Sequence, residues 1–142
     1  MNVSTLPSVE LRDIQPLDAQ RMRVDADGSW ALLGGKCENC GKLAHPFHRG
    51  CSRCGGTERL VELEPIGEVR SSTTVHVTRP DVLLPVPYQV ALVQLREGPV
   101  VSVPSLRSEV FHLGETVLLA PVLVDTLTGP RAIVQAVPLS ED

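Results

Sequence analysis

Residues 37–56 read Cys37-Glu-Asn-Cys40-Gly-Lys-Leu-Ala-His-Pro-Phe-His-Arg-Gly-Cys51-Ser-Arg-Cys54-Gly-Gly56, and they hold all four cysteines of the 142-residue chain. The cysteines form two Cys-x-x-Cys pairs separated by ten residues, each followed directly by glycine. Two residues between thiolates let a tight turn aim both sulfurs at one point. The glycine lets the backbone curl so that amide N–H groups face the sulfurs. The spacing predicts a structural Zn(Cys)4 site on Cys37, Cys40, Cys51 and Cys54, one zinc per chain. Four thiolates close a tetrahedral shell and leave no position for a reactive water. Lys36, Lys42, Arg49 and Arg53 stand beside the ligands, where they can offset the negative charge of the centre.

Other uses of the cysteines fit less well. Disulfides would need an oxidising compartment, and the first 13 residues carry no apolar signal core. Two tandem pairs do not suit a single redox dithiol. His45 and His48, in the connecting arm, could each replace a cysteine, but with four thiols present they are read as arm residues. So little apolar content surrounds the arm that metal is expected to supply its folding energy.

Composition narrows the function. Net charge is −4 and the pI is about 5.5, which argues against a nucleic-acid binder with its basic surface. The aromatics are Trp30, Phe47, Tyr88 and Phe111, too few for a protein that stacks bases. No apolar run is long enough to span a membrane, and a cytoplasmic location is expected. Twelve prolines and eleven glycines among many valines and leucines favour short strands.

Outward from the cysteines, residues 1 to about 15 read as an extended arm interrupted by Pro7, with Pro16 just beyond. Asp18 to Val24 suits a short helix or a first strand, and Asp25-Ala-Asp-Gly28 is a turn signal. After Gly56 strands recur: Leu60–Glu64, Gly67–Thr78, Tyr88–Arg96, Val100–Val103, Thr116–Val124 and Arg131–Val137, with turns about every ten residues. In the longest, Val69, Ser71, Thr73, Val75 and Val77 are expected on one face, with Arg70, Ser72, Thr74, His76 and Thr78 on the other. The pattern predicts a mainly β protein: an N-terminal rubredoxin-like zinc ribbon followed by a small OB-fold β-barrel, a sandwich being the alternative. The expected divisions are residues 1–29 (arm), 30–60 (ribbon) and 61–142 (barrel).

Little is left over for catalysis. With the cysteines on zinc no thiol nucleophile remains, and neither a Gly-x-Ser-x-Gly elbow nor a phosphate-binding glycine loop is present. No catalytic residue is assigned. His76 could meet a ligand or stand on a solvated strand face. His112 stands alone in a connector. Tyr88 could reach a ligand with its hydroxyl or anchor the preceding loop from the core. The proline-rich loop Arg79–Pro87 and the strand Val117–Val124 are candidate contact surfaces. The chain reads as one that binds, positions or shapes.

Three strings carry a resemblance: Ile66-Gly-Glu-Val-Arg-Ser-Ser-Thr-Thr-Val-His76, Pro87-Tyr-Gln-Val-Ala-Leu-Val-Gln-Leu-Arg-Glu-Gly98 and Leu113-Gly-Glu-Thr-Val117, following the two Cys-x-x-Cys-Gly knuckles. Over about residues 30–124 the chain resembles the acyl-CoA-associated family of zinc-ribbon/OB-fold proteins. The resemblance implies a non-catalytic accessory subunit of a heteromeric thiolase-fold enzyme (thiolase, acyltransferase or lipid-transfer-type aldolase). Such a subunit stabilises its partner and helps form the acyl-CoA channel. It implies a hetero-oligomer in which a coenzyme A thioester is shared with the partner. Arg70, Arg79 and Arg96 are then candidates for contact with anionic coenzyme A. A nucleic-acid-binding ribbon-plus-OB module is the alternative, disfavoured by charge and aromatic content.

Overall fold

A computed structural model describes residues 11, 13–78, 80, 82–106 and 110–139. Among these residues ten strands run in order: β1 (Met22–Val24), β2 (Trp30–Cys37), β3 (Leu43–Ala44), β4 (Glu58–Leu63), β5 (Ile66–Val75), β6 (Val82–Leu83), β7 (Tyr88–Leu95), β8 (Val100–Ser105), β9 (Thr116–Thr126) and β10 (Gly129–Pro138). They make two sheets. The first is built on β2, which pairs antiparallel with β1, β3 and β4. The second has the order β10-β9-β5-β7-β8, with β6 added beside β9. The mainly β class, and the order of a cysteine-bearing ribbon before a larger sheet, agree with the sequence reading.

Residues 18–24 take the second of the two predicted forms, a turn leading into a strand. Arg21 N–H donates to Asp18 O at 3.1 Å, and β1 starts at Met22. The Asp25–Gly28 turn is present, with Gly28 at φ 91° and its N–H donating to Asp25 O at 2.9 Å. Glycine fits here because an L side chain is strained at that φ.

The second sheet departs from the expected barrel in one respect. β8 and β10 approach each other, but no ladder joins them, so the hydrogen-bonded path stays open at that seam. The free edge of β10 is instead met by the arm. Pro16 forms a parallel bridge with Ala132; Leu17 N–H donates to Ala132 O at 2.9 Å, and Ala132 N–H to Gln15 O at 3.0 Å. The arm, where described, therefore packs on its own chain, and Leu11 is 5% exposed.

The alternation expected along β5 holds only to Val69. A β-bulge between Val69 and Ser71 inserts a residue opposite β7, and an extra residue reverses which side chains face inward. Ser72 and Thr74, expected on the outer face, instead approach fully buried Gln89. Ser72 Oγ donates to Gln89 Oε1 at 3.2 Å, and Gln89 Nε2 donates to Thr74 Oγ1 at 3.0 Å. The bulge thus supplies partners for an amide that would otherwise be costly to bury. β5 ends at Val75, short of the predicted Thr78.

One core joins the two sheets. Met22, Leu32 and Leu63 of the first sheet share a cluster with Val69, Val93, Val101, Val117 and Ala132 of the second. Phe111, from the connector before β9, is 3% exposed within it. A smaller cluster gathers Leu84, Tyr88 and Val124. Gly67 is paired on both sides, with Val117 of β9 and Leu95 of β7, and a Cβ there would collide with the backbone carbonyl of Gln94. Gly67→Ala is expected to cost about 2 kcal/mol through overpacking, measured as a lower denaturation midpoint with an unchanged slope.

Candidate metal centre

The two knuckles are built alike. Gly41 N–H donates to Cys37 O and Gly55 N–H to Cys51 O, both at 2.9 Å, closing each Cys-x-x-Cys turn. Gly41 and Gly55 have φ of 79° and 78°. Cys37 N–H donates to Lys42 O at 2.9 Å, and Cys51 N–H to Gly56 O at 2.7 Å. In both knuckles the first cysteine is buried and the second exposed.

The four Sγ atoms lie within 4.8 Å of one another. Cys37 Sγ is 3.5 Å from Cys54 Sγ, and Cys40 Sγ is 3.7 Å from Cys51 Sγ. A disulfide needs about 2.05 Å, and all four cysteines are free thiols. A tetrahedron with metal–sulfur bonds of about 2.3 Å has edges of about 3.8 Å. The cluster is therefore compatible with a structural metal ion such as zinc.

Backbone donors face the sulfurs. Asn39 N–H and Cys40 N–H each point at Cys37 Sγ at 3.4 Å, and Arg53 N–H at Cys51 Sγ at 3.3 Å. One side chain joins them: Asn39 Nδ2 donates to Cys54 Sγ at 3.6 Å. That bond, with the Gly56 N–H, holds the Cys54 thiol down to about 6. The N–H groups of Cys54 and Arg53 lower Cys51 as well. Cys40 goes the other way: the Lys42 N–H draws it down, but burial and the neighbouring sulfurs outweigh this and push it to about 11. Four thiols this close cannot all shed their protons without a cation among them.

Two contributors were not singled out in the sequence. Gly56 leaves room for the cluster, since a Cβ there would stand 2.9 Å from both Asn39 Cβ and Cys37 Sγ. The glycine doublet was visible, but nothing in it showed which glycine faced the sulfurs. Asn39 is one of two residues inside its knuckle, and only the fold shows that its amide crosses to the other. Of the predicted cations, Lys42 Nζ donates to Ser52 Oγ at 2.8 Å, while Lys36, Arg49 and Arg53 are exposed.

The arm histidines stand apart from the cluster. His48 N–H donates to the carboxylate of buried Glu58 at 3.0 Å. His45 is half-buried, with Nδ1 2.7 Å from Leu33 O. Burial lowers its pKa, partly offset by that hydrogen bond.

Among the coenzyme A candidates, Arg70 and Arg96 flank one shallow cavity of about 280 Å³ with Gly67, Glu68, Gln94 and Thr116. Arg70 donates from Nε to Gln94 Oε1 at 2.8 Å and from a second nitrogen to the same oxygen. Arg79 lies outside the described residues. His76 and His112 are exposed. In the loop Arg79–Pro87, Leu84 turns inward at 5% exposure, while Val86 is 40% exposed. In the strand Val117–Val124, Val117, Leu119 and Val124 are buried. No described helix is long and apolar enough to cross a membrane.

No family model matches the chain. It is similar to a DUF35 domain-containing scaffold protein of Methanocaldococcus jannaschii, 34% identical over 74 residues, covering 49% of this chain and 50% of the relative. A DUF35 domain-containing scaffold protein of Pyrococcus furiosus is 36% identical over 89 residues, covering 61% of this chain and 64% of the relative. The matches thus span about half to under two thirds of those curated relatives. Among solved structures, a chain of the Ltp2-ChsH2(DUF35) aldolase superimposes with a TM-score of 0.58 at 26% identity, covering 75% of this chain and 84% of that one. These findings agree with the resemblance read from the sequence.

Two outcomes follow from the geometry. Asn39→Ala is expected to weaken metal binding about tenfold, because outer-shell partners typically carry that much; competition with a chromogenic chelator measures it. The lowered His45 pKa means that the unfolded chain takes up a proton first as pH falls. Stability from this group is present above about 6.5 and is lost as pH falls through its lower folded value. The His45→Gln variant should lack that part of the slope in denaturation curves taken at successive pH values.

Proposed function

We propose that this chain, similar over part of its length to DUF35 domain-containing scaffold proteins, is a non-catalytic, zinc-holding accessory subunit of a heteromeric enzyme of the thiolase-fold or aldolase type acting on acyl-CoA. The observation that carries this reading is the likeness to a chain of an aldolase assembly, which covers 75% of this chain. That is more than the second sheet alone contains, since Ile66–Pro138 is about half of the sequence. The curated relatives are named as scaffold proteins, which fits a positioning role.

In this reading Cys37, Cys40, Cys51 and Cys54 hold one zinc ion, which clamps the two knuckles and supplies folding energy rather than a reactive water. Asn39 and the knuckle N–H groups orient the thiolates. All four cysteines of the chain belong to this cluster, so a thiol nucleophile would have to come from the partner. Arg70 and Arg96 form a basic lip at which the phosphates of coenzyme A could be met. Nearby Glu68 limits the net charge there. The partner would complete the acyl channel.

The test is an affinity pull-down of the tagged chain from its own cells, with zinc quantified in the same sample. A thiolase-fold or aldolase subunit at near-equal amount, one zinc per chain, and acyl-CoA activity that falls when this chain is removed are the expected results. A zinc-containing monomer without such an enzyme would overturn the proposal.

A further inference from the structure

The open seam between β8 and β10 lies beside a groove of about 680 Å³, within the size range of small-molecule sites. The arm and β1 form one wall, with Leu17 and Met22. Val103 and Ile133 come from the second sheet, and Leu84 from the loop after β6. His45 and Tyr88 also line it.

These two residues give the groove its polarity. His45 Nδ1 is 2.7 Å from a carbonyl, Leu33 O. A carbonyl only accepts, so Nδ1 carries the proton. In the neutral ring Nε2 is then a bare acceptor. No hydrogen bond of the described residues uses Nε2 or the Tyr88 hydroxyl. Neither atom is a buried orphan, so both reach open space. Tyr88 is only 5% exposed and its ring packs with Leu84 and Val124, which fixes its position. At the groove wall Asp18 and Arg21 pair at 3.1 Å. Their charges offset each other, and among the described residues lining the groove no unpaired cation is left to hold an anion.

We propose that this groove binds a small, neutral, largely apolar molecule bearing a hydroxyl or amide group, which donates its proton to His45 Nε2 while the Tyr88 hydroxyl supplies a second polar contact. The apolar walls take the body of the ligand, and the acceptor sets its orientation. A molecule of the same shape without a donor leaves Nε2 unpaired and binds less well. A carboxylate is rejected, because it places a second acceptor against the first. The site lies within one chain and does not depend on the partner assignment, so its failure would leave the accessory-subunit reading untouched.

Three probes of one shape test the inference on the full zinc-loaded chain: 2-naphthol, 2-methoxynaphthalene and 2-naphthoate. Their affinities would be read by amide shifts in ¹⁵N-labelled protein, together with the ring nitrogen signals of His45. We expect 2-naphthol to bind about tenfold more tightly than either analogue, a difference of about 1.4 kcal/mol. Shifts should gather at Leu33, His45, Tyr88 and Ile133, and the Nε2 signal should move. In His45→Phe the preference for 2-naphthol over 2-methoxynaphthalene should vanish. If that variant does not fold, the comparison of probes on the unaltered chain decides. Equal binding of all three probes, absence of binding, or shifts gathered away from the groove would overturn the proposal.

Discussion

Four sulfurs within 4.8 Å of one another are the constraint on which the rest of the ribbon depends. Thiolates at such distances repel unless a cation sits among them, and thiols alone gain little from being so close. The surrounding backbone is arranged for the charged form: three knuckle N–H groups and the Asn39 amide point at sulfur. β2 and β4 run away from this point as a six-residue ladder. The ribbon's strand pairing and its sulfur cluster therefore support each other, and a cation among the sulfurs would strengthen both.

The second sheet does not rest on the first as a separate body. Met22, Leu32 and Leu63 are buried in the same cluster as the valines of β7, β8 and β9. Apolar burial on that scale is the main stabilising term of a small domain. It explains why a chain with so few aromatics can still build a core: branched aliphatics from both sheets fill it, and Phe111 enters from the connector. Where the core reaches the β8/β10 seam, the arm covers one edge and leaves a groove beside it.

Local chemistry was legible in the sequence. The cysteine spacing, the glycines after each knuckle and the Asp25–Gly28 turn each depend on a few neighbouring residues, and each appears as read. Most strands did too, because valine-rich alternation reports burial directly. What depended on distant pairing was not legible. The bulge after Val69 is set by the register against β7, and the serine–threonine run that follows gives no local sign of it. The arm gave no sign of its docking, because the hydrogen bonds of Gln15 and Leu17 go to Ala132, far along the chain. Asn39 and Gly56 act across the cluster, and His45, just past β3, meets Leu33 O of β2. That Arg70 and Arg96 share one cavity follows from the pairing of β5 with β7, which no local pattern in the sequence announced.

The short segment around Pro16–Arg21 grips both halves of the molecule. It bonds to Ala132 through Gln15 and Leu17; Phe47 N–H donates to Gln20 O, and Leu33 N–H to Arg21 O. A load applied to the cysteine knuckles is thus passed to β10 through this segment as well as through the β4–β5 junction and the shared core. Two tethers in parallel resist twisting as one cannot. A binding event at the ribbon would turn the whole body as a stiff lever, and ribbons exchanged between relatives would have to travel with this segment to keep that stiffness.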